Sequence, residues 1–183
     1  MIKAVVFDMD GVLCDYRIDR RLARLASWSG RSADAIHAAI WRSGFEDEAE
    51  RGAISADDYL KGFGEPDGAV LSLARQLGRD RLVGMFTSNP WLLKRHIAEV
   101  FPAVPEIFGA RAIFSAELGR SKPDPEAYRR LADRLGVAPD EILFFDDEEP
   151  LVTGARAAGL SAYQVGGAAA VRAGLAAHGL AWS

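Results

Sequence analysis

The stretch Ala4-Val5-Val6-Phe7-Asp8-Met9-Asp10-Gly11-Val12 decides how this chain is interpreted. Its first four residues are apolar and include two valines, a pattern typical of a buried parallel strand. Two carboxylates, Asp8 and Asp10, follow where that strand must end, and Gly11 then allows a sharp turn. Burying carboxylates costs several kcal/mol per ion unless a cation or hydrogen-bond donors compensate. We therefore expect a metal ion at this strand end.

Composition limits the class of protein and its partners. The chain has 183 residues, of which 49% are hydrophobic and 26% charged, and this fits one globular α/β domain with a small insertion. The net charge is −4 and no block of Lys and Arg is long enough to follow a phosphate backbone, so nucleic acid is not an expected partner. No segment approaches the ~20 apolar residues that span a membrane. The single cysteine, Cys14, favours a reducing compartment, and we expect a cytoplasmic protein.

Strands and helices alternate along most of the chain. Further apolar runs predict strands at residues 82–86, 111–114, 142–145 and 161–165. Apolar residues at three- and four-residue spacing predict helices at residues 91–101, 126–135 and 150–158, with a last helix ending near residue 177. This alternation predicts an α/β fold with a Rossmann-like, doubly wound parallel sheet.

Residues 15–66 interrupt the alternation. They contain helical patterns at 18–28, 33–43 and 55–63 and no convincing strand pattern. An insertion directly after the first strand predicts a small α-helical cap over the carboxyl end of the sheet. Residues 1–14 and 67–183 would then form the core domain. Because a core helix begins at about residue 69, the cap is expected to be short.

Polar residues follow the first, second and fourth predicted strands, and a lysine lies in a loop that precedes a predicted helix. Thr87-Ser88-Asn89 follows the second strand, Asp146-Asp147 follows the fourth, and Lys122 lies in a loop rich in proline. In an open parallel sheet, ligands bind outside the carboxyl ends of the strands, so these side chains should converge. Carboxylates, hydroxyls and a lysine suit a phosphoryl group held together with Mg²⁺.

Four segments carry a family resemblance. In chain order they are Asp8-Met9-Asp10-Gly11-Val12, Thr87-Ser88-Asn89, Lys122-Pro123-Asp124-Pro125, and Phe144-Phe145-Asp146-Asp147 with Gly154-Ala155 downstream. They resemble the four motifs of the haloacid dehalogenase-like hydrolase superfamily, over nearly the whole chain. The chain is most similar to the branch with a small helical cap, which includes sugar phosphatases of the glucose-1-phosphate phosphatase and β-phosphoglucomutase types.

The resemblance implies roles for the acidic residues. Asp8 resembles the nucleophile that forms an aspartyl-phosphate, and Asp10 resembles the general acid and base. An acid at Asp10 argues against a dehalogenase. The resemblance also implies that Mg²⁺ is held by Asp8, the main-chain carbonyl of Asp10 and Asp147, with Asp146 acting through water. The chain departs from the family at Leu151, where relatives usually carry an acid or amide that supports the metal.

The resemblance also implies a phosphate-binding set and a specificity region. Either Thr87 or Ser88 supplies the phosphate-binding hydroxyl, with a slight preference for Thr87, and Asn89 supplies a further donor. Lys122 is similar to the lysine that neutralises the nucleophile and the phosphate. Substrate specificity is expected in the cap, where four arginines are candidates: Arg17, Arg21, Arg42 and Arg51.

These inferences predict a Mg²⁺-dependent phosphatase that hydrolyses a small phosphorylated metabolite, most simply a sugar phosphate. One alternative is a phosphomutase that moves phosphate between sugar hydroxyls. A short cap argues modestly against it, because such an enzyme must exclude water. The other alternative is a binding module without catalysis, and the presence of Asp8, Asp10, Lys122 and Asp147 argues against that.

Overall fold

The apolar run that opens the chain forms the central strand of a five-stranded parallel sheet. The structure is a computed structural model that describes residues 1–15, 22–23, 26–27, 32–35, 66–89 and 91–180. The strands are β1 (Ala4–Phe7), β2 (Leu82–Thr87), β3 (Ala112–Phe114), β4 (Ile142–Asp146) and β5 (Ser161–Gln164). Their spatial order is β3-β2-β1-β4-β5, and every pairing is parallel.

Strand β1 is apolar throughout because both faces of the sheet are covered. Successive side chains of a strand point to opposite faces. Val5 and Phe7 accordingly pack in one buried cluster, and Ala4 and Val6 pack in another. All four side chains are fully buried. A strand buried on both faces reads as a continuous apolar run, which is the pattern seen at the start of this chain.

Helices supply the two covering layers. The described helices are α1 (Gly68–Leu77), α2 (Trp91–Val100), α3 (Ala103–Phe108), α4 (Ser115–Leu118), α5 (Pro125–Leu135), α6 (Glu149–Ala157) and α7 (Ala168–Ala177). Residues of α1, α2, α3 and α7 pack in the cluster of Val5, whereas residues of α5 and α6 pack in the cluster of Val6. The prediction of a doubly wound α/β sheet is confirmed. The short helices α3 and α4 were not predicted.

The start of α5 is set by its local sequence. The Asp124 side chain accepts a hydrogen bond from the backbone N–H of Glu126 at 2.9 Å, and Pro125 occupies the first turn. A capping carboxylate followed by proline is a favourable helix start, since it satisfies one of the donors that the helix leaves unpaired. This cap fixes where the preceding loop, which contains Lys122, ends.

The strand order places a crevice at one edge of the sheet. Strands β2 and β3 lie on one side of β1, and β4 and β5 lie on the other. The chain adds β2 and β3 on one side of β1 and then crosses to add β4 and β5 on the other side. The order of strand addition thus reverses between β1 and β4, and in such sheets the ligand crevice lies outside the carboxyl ends of those two strands. In register, Phe7 at the end of β1 pairs with Phe145 of β4 and with Met85 of β2.

The segment predicted to be a cap leaves and rejoins the core at adjacent points. Cys14 forms an antiparallel bridge with Pro66, and the N–H of Asp67 donates to the carbonyl of Leu13 at 2.8 Å. Within the segment, residues 22–23, 26–27 and 33–35 are helical. The remainder of the predicted cap helices lies outside the described residues. Among the elements that the structure describes, no helix is long and apolar enough to cross a membrane.

Candidate active site

Three strand ends bring polar side chains to the crevice. Asp8 directly follows β1, Thr87 is the last residue of β2, and Asp146 is the last residue of β4. Backbone pairing continues past the end of β1, since the N–H of Asp8 donates to the carbonyl of Phe145 at 2.8 Å. All three polar side chains are buried, at 5%, 0% and 0% exposure in that order. The parallel sheet thus collects side chains that lie up to 138 positions apart in the chain, between Asp8 and Asp146.

Lys122 supplies the positive charge of the crevice. Its Nζ donates a hydrogen bond to Asp146 Oδ2 at 2.6 Å and lies 2.9 Å from Asp8 Oδ1 in an ion pair. The rings of Phe86 and Phe144 flank the ammonium, with centroids at 5.8 and 5.4 Å. Burial alone would lower the pKa of Lys122, but the charges of Asp8 and Asp146 outweigh burial and raise that pKa above its usual value. Lys122 is therefore a fixed cation.

Gly154 allows the Lys122 loop to approach the sheet. A Cβ at Gly154 would overlap the carbonyl oxygen of Pro123 and would lie 2.9 Å from Pro123 Cβ. Helix α6 therefore packs directly against the residue that follows Lys122, and only glycine leaves room for that contact. Gly154 thus permits close packing of α6 against the loop that carries Lys122.

The two aspartates after β4 have different environments. Asp146 accepts hydrogen bonds from Lys122 and, at 3.0 Å, from the N–H of Glu148. Asp147 is half-buried and lies over the turn at Gly11, where a Cβ would overlap its carboxylate. Gly11 has a φ of 73°, in the left-handed region that favours glycine. Burial, together with repulsion from Asp146, raises the pKa of Asp147 to about 6.

The carboxylates fit a hard divalent cation. One oxygen each from Asp8, Asp146 and Asp147 lies within 4.8 Å of the other two. Asp8 Oδ1 is buried and has the Lys122 ammonium at 2.9 Å. Burial raises the pKa of Asp8, although Lys122 opposes the shift. Among the described residues, these three carboxyl groups face one ammonium, and oxygen donors of this kind are the ligands that Mg²⁺ takes.

Asp10, Thr87 and Asn89 form a hydrogen-bonded group beside the carboxylates. Asn89 Nδ2 donates to Asp10 Oδ2 at 2.7 Å and to Thr87 Oγ1 at 2.6 Å. Asn89 is 7% exposed, and Ser88 between these residues is exposed. Of the two hydroxyls considered as phosphate ligands, Thr87 is the one that lies in this buried group. Sequence reasoning missed the contact between Asn89 and Asp10, because it depends on the pairing of β1 with β2.

Cys14 lies where the chain leaves the crevice. Its Sγ is 3.4 Å from the carbonyl of Met9 and 3.8 Å from Asp10 Oδ1. Burial, and then the charge of Asp10, raises the pKa of the thiol, so Cys14 stays protonated. It is a small buried side chain directly before the inserted segment. The four arginines predicted to set specificity, Arg17, Arg21, Arg42 and Arg51, lie outside the described residues.

Comparison with solved structures supports the same fold. A HAD family enzyme from Bacteroides thetaiotaomicron, in complex with magnesium and inorganic phosphate, superposes with a TM-score of 0.73. The match covers 90% of this chain and 94% of that one at 18% identity. At this identity the likeness establishes the shared fold.

Curated relatives and a family model establish the family. A phosphatase of Mycobacterium tuberculosis is 30% identical over 192 aligned positions, covering 90% of this chain and 87% of the relative. A phosphorylated carbohydrates phosphatase of Thermotoga maritima is 29% identical, covering 87% of this chain and 82% of the relative. The family model of haloacid dehalogenase-like hydrolases matches residues 2–159. The chain therefore belongs to the haloacid dehalogenase-like hydrolases.

Proposed function

We propose that this protein is a phosphatase that hydrolyses a small phosphomonoester through an aspartyl-phosphate on Asp8. It is an enzyme of the phosphoric monoester hydrolase class, as its curated relatives are. The observation that carries the proposal is the state of Asp8. Its carboxylate is buried, and its Oδ1 lies 2.9 Å from the Lys122 ammonium. The ion pair holds this carboxylate in place at the strand end, as a nucleophile must be held.

Asp8 and Asp10 have different roles in the proposed reaction, as nucleophile and as general acid and base. An oxygen of Asp8 forms a bond to phosphorus, the bond from phosphorus to the ester oxygen breaks, and Asp10 gives its proton to the departing alkoxide. In the second half, Asp10 takes a proton from water, the water oxygen bonds to phosphorus, and the bond to Asp8 breaks. Inorganic phosphate and the free alcohol are the products. Asp10 serves as acid and then as base, so each turnover restores both residues.

Charge compensation is the role of Lys122 and of a bound cation. Lys122, at 2.9 Å from Asp8, opposes the repulsion between that carboxylate and the phosphate anion. Asp8, Asp147 and the carbonyl of Asp10 would hold Mg²⁺, with Asp146 beside them, hydrogen-bonded to Lys122. When bound, Mg²⁺ would neutralise charge on the phosphoryl oxygens. Thr87 would donate its hydroxyl hydrogen to the phosphate.

The inserted segment is proposed as the cap, and a sugar phosphate as the substrate class. Residues 15–66 begin and end beside the turn that follows Asp10, because Cys14 pairs with Pro66. A segment attached there is suited to cover the leaving group. The arginines at 17, 21, 42 and 51 are then the candidates for contacts with the substrate. The relative that acts on phosphorylated carbohydrates supports this substrate class.

The test is phosphate release by the purified protein with MgCl₂, from p-nitrophenyl phosphate and a panel of sugar phosphates. Asp8→Asn is expected to abolish turnover on every ester, because an amide cannot form the covalent intermediate. The variant should remain folded, since Asn has the same shape and the Lys122–Asp146 pair remains. Asp133→Asn, the same change at an exposed position on α5, should leave the rate unchanged. A wild-type protein that releases no phosphate, or an active Asp8→Asn variant, would contradict the proposal.

A further inference from the structure

Asn89 occupies a position that links two parts of the crevice. It follows β2 by two residues and is 7% exposed. Its Nδ2 donates to Asp10 Oδ2 at 2.7 Å and to Thr87 Oγ1 at 2.6 Å. Asp10 lies 79 positions earlier in the chain, so the contact exists only because β1 and β2 are neighbours.

The two hydrogen bonds use the full donor capacity of Asn89. A side-chain amide nitrogen carries two hydrogens, and each has an acceptor here. The orientation of the amide follows from its partner, because a carboxylate oxygen at 2.7 Å requires the nitrogen rather than the oxygen of the amide to face it. The remaining polar atom, Oδ1, is an acceptor and would repel a phosphoryl oxygen. In this arrangement the Asn89 side chain has no further hydrogen to donate to a phosphate, although sequence reasoning predicts Asn89 as a phosphate donor.

The same bonds restrict Asp10 and Thr87. Rotation of a carboxyl group about its last side-chain bond is loosely restrained by intrinsic preference. A short hydrogen bond from Asn89 to Oδ2 restrains the plane of the Asp10 carboxyl, whose Oδ1 lies 3.8 Å from the Cys14 thiol. At Thr87, the oxygen accepts from Asn89, so its own hydrogen is free to point toward the phosphate site.

We infer that Asn89 is a positioning residue, which holds the Asp10 carboxyl in the orientation that protonates the leaving group. The inference rests on the proposed function, since it concerns the acid step of that reaction. Loss of a phosphate contact would slow the hydrolysis of every ester by the same factor. Loss of the acid's orientation would slow most the esters whose leaving group must be protonated.

Two aryl esters of similar shape separate these roles. Phenyl phosphate has a poor leaving group that needs protonation, whereas p-nitrophenyl phosphate has a good one that departs as the anion. Asn89→Leu keeps the size of the side chain and removes both donors. It should lower kcat/KM for phenyl phosphate by about 10²-fold and for p-nitrophenyl phosphate by less than about tenfold, within the range of general acid catalysis.

Thr87→Val provides the contrasting variant. It removes a hydroxyl assigned to phosphate, so kcat/KM should fall by the same factor for both esters. Asp10→Asn should show the split between esters more strongly than Asn89→Leu does. Asn89→Ala, which fills less space, should reproduce the split if the leucine side chain prevents folding.

The outcomes distinguish the inference from the proposed function. Equal losses on both esters in the Asn89 variants would overturn the inference and leave the phosphatase proposal standing. A wild-type protein that hydrolyses neither ester would overturn both. A preferential loss on phenyl phosphate, with Thr87→Val uniform, supports Asn89 as the residue that positions the acid.

Discussion

Two clusters of three charges have central residues, Lys122 and Glu126, that lie four positions apart in the chain, and they differ in burial. In the buried cluster, Lys122 lies between Asp8 and Asp146, at 2.9 and 2.6 Å. In the exposed cluster, Glu126 lies between Arg129 and Arg130, at 3.1 and 3.2 Å. Each has one charge of one sign between two of the other. The side chains of the first are at most 7% exposed, and those of the second are 41% to 54% exposed.

The comparison shows that the distance between two charges does not determine how much their ion pair contributes to stability. Attraction between exposed charges is weakened by water and salt, and holding long side chains in one geometry costs entropy. Buried charges attract more strongly, but removing them from water costs several kcal/mol each. The exposed cluster is therefore expected to contribute little to stability. Removal of the central charge of the buried cluster should be costly, because two carboxyl groups would stay buried without their cation.

The largest effect is expected from Lys122→Met. The variant leaves Asp8 and Asp146 buried without their cation, which should lower the free energy of unfolding by about 3–5 kcal/mol. Loss of the charge beside the nucleophile should also lower kcat/KM by at least about 10²-fold. Urea unfolding in EDTA and turnover of p-nitrophenyl phosphate with MgCl₂ measure the two effects.

Lys3→Met is the matched control for that variant. Lys3 pairs with Glu141 at 2.6 Å, as close as Lys122 is to Asp146, but its side chain is 62% exposed. The unfolding midpoint and the turnover of the Lys3→Met variant should stay near those of the wild type. If both lysine variants lost the same stability, burial would not be what separates the two clusters.

Much of the fold around the buried cluster could be predicted from the sequence, because the elements concerned are determined by residues that are neighbours in the chain. Strand β4 was expected at 142–145 and is Ile142–Asp146, because an apolar run that is buried on both faces ends abruptly at acids. Helix α5 was expected at 126–135 and is Pro125–Leu135, since its apolar spacing and its cap are both encoded in neighbouring residues. The same strand ends predicted which polar side chains would meet.

What could not be predicted depends on contacts between distant residues or on very short elements. Helix α4 has four residues, too few for a helical repeat to be recognised. The burial of Asp146 and its bond to Lys122 depend on how the loop before α5 packs, and Gly154 of α6 leaves room for that packing. The sequence does not distinguish a glycine packed against a backbone carbonyl from a glycine that faces solvent.

A smaller effect on the same cluster is expected from Gly154→Ala. The added Cβ would overlap the carbonyl of Pro123, so either α6 or the Lys122 loop must shift. Overpacking of this kind should lower the free energy of unfolding by about 1–3 kcal/mol. Because Lys122 is displaced from Asp8, kcat should fall as well, whereas the exposed cluster on α5 should be unaffected. Urea unfolding and steady-state kinetics measure these changes.

Gly68→Ala is the control for the glycine variant. A Cβ at Gly68 would have no atom within 4 Å, and the residue begins helix α1. Alanine there should leave activity unchanged and stability equal or slightly higher, because it restricts the unfolded chain. Wild-type kinetics in Gly154→Ala would contradict the view that this glycine sets the position of Lys122.

The smallest effect is expected from Glu126→Gln, which removes the central charge of the exposed cluster. Hydrogen bonds from Arg130 and Arg129 hold the pKa of Glu126 below its ordinary value of 4.5. A carboxyl with a lowered folded-state pKa stabilises the fold above its unfolded pKa, and that contribution disappears as the pH falls through the folded value. The difference in unfolding midpoint between wild type and variant should therefore be small near neutral pH, shrink below pH 4.5 and shrink also with added salt. Turnover should not change, because Glu126 lies outside the crevice. A loss comparable to that of Lys122→Met, or one insensitive to salt, would mean that the exposed charges are coupled to the site, and the contrast between the two clusters would fail.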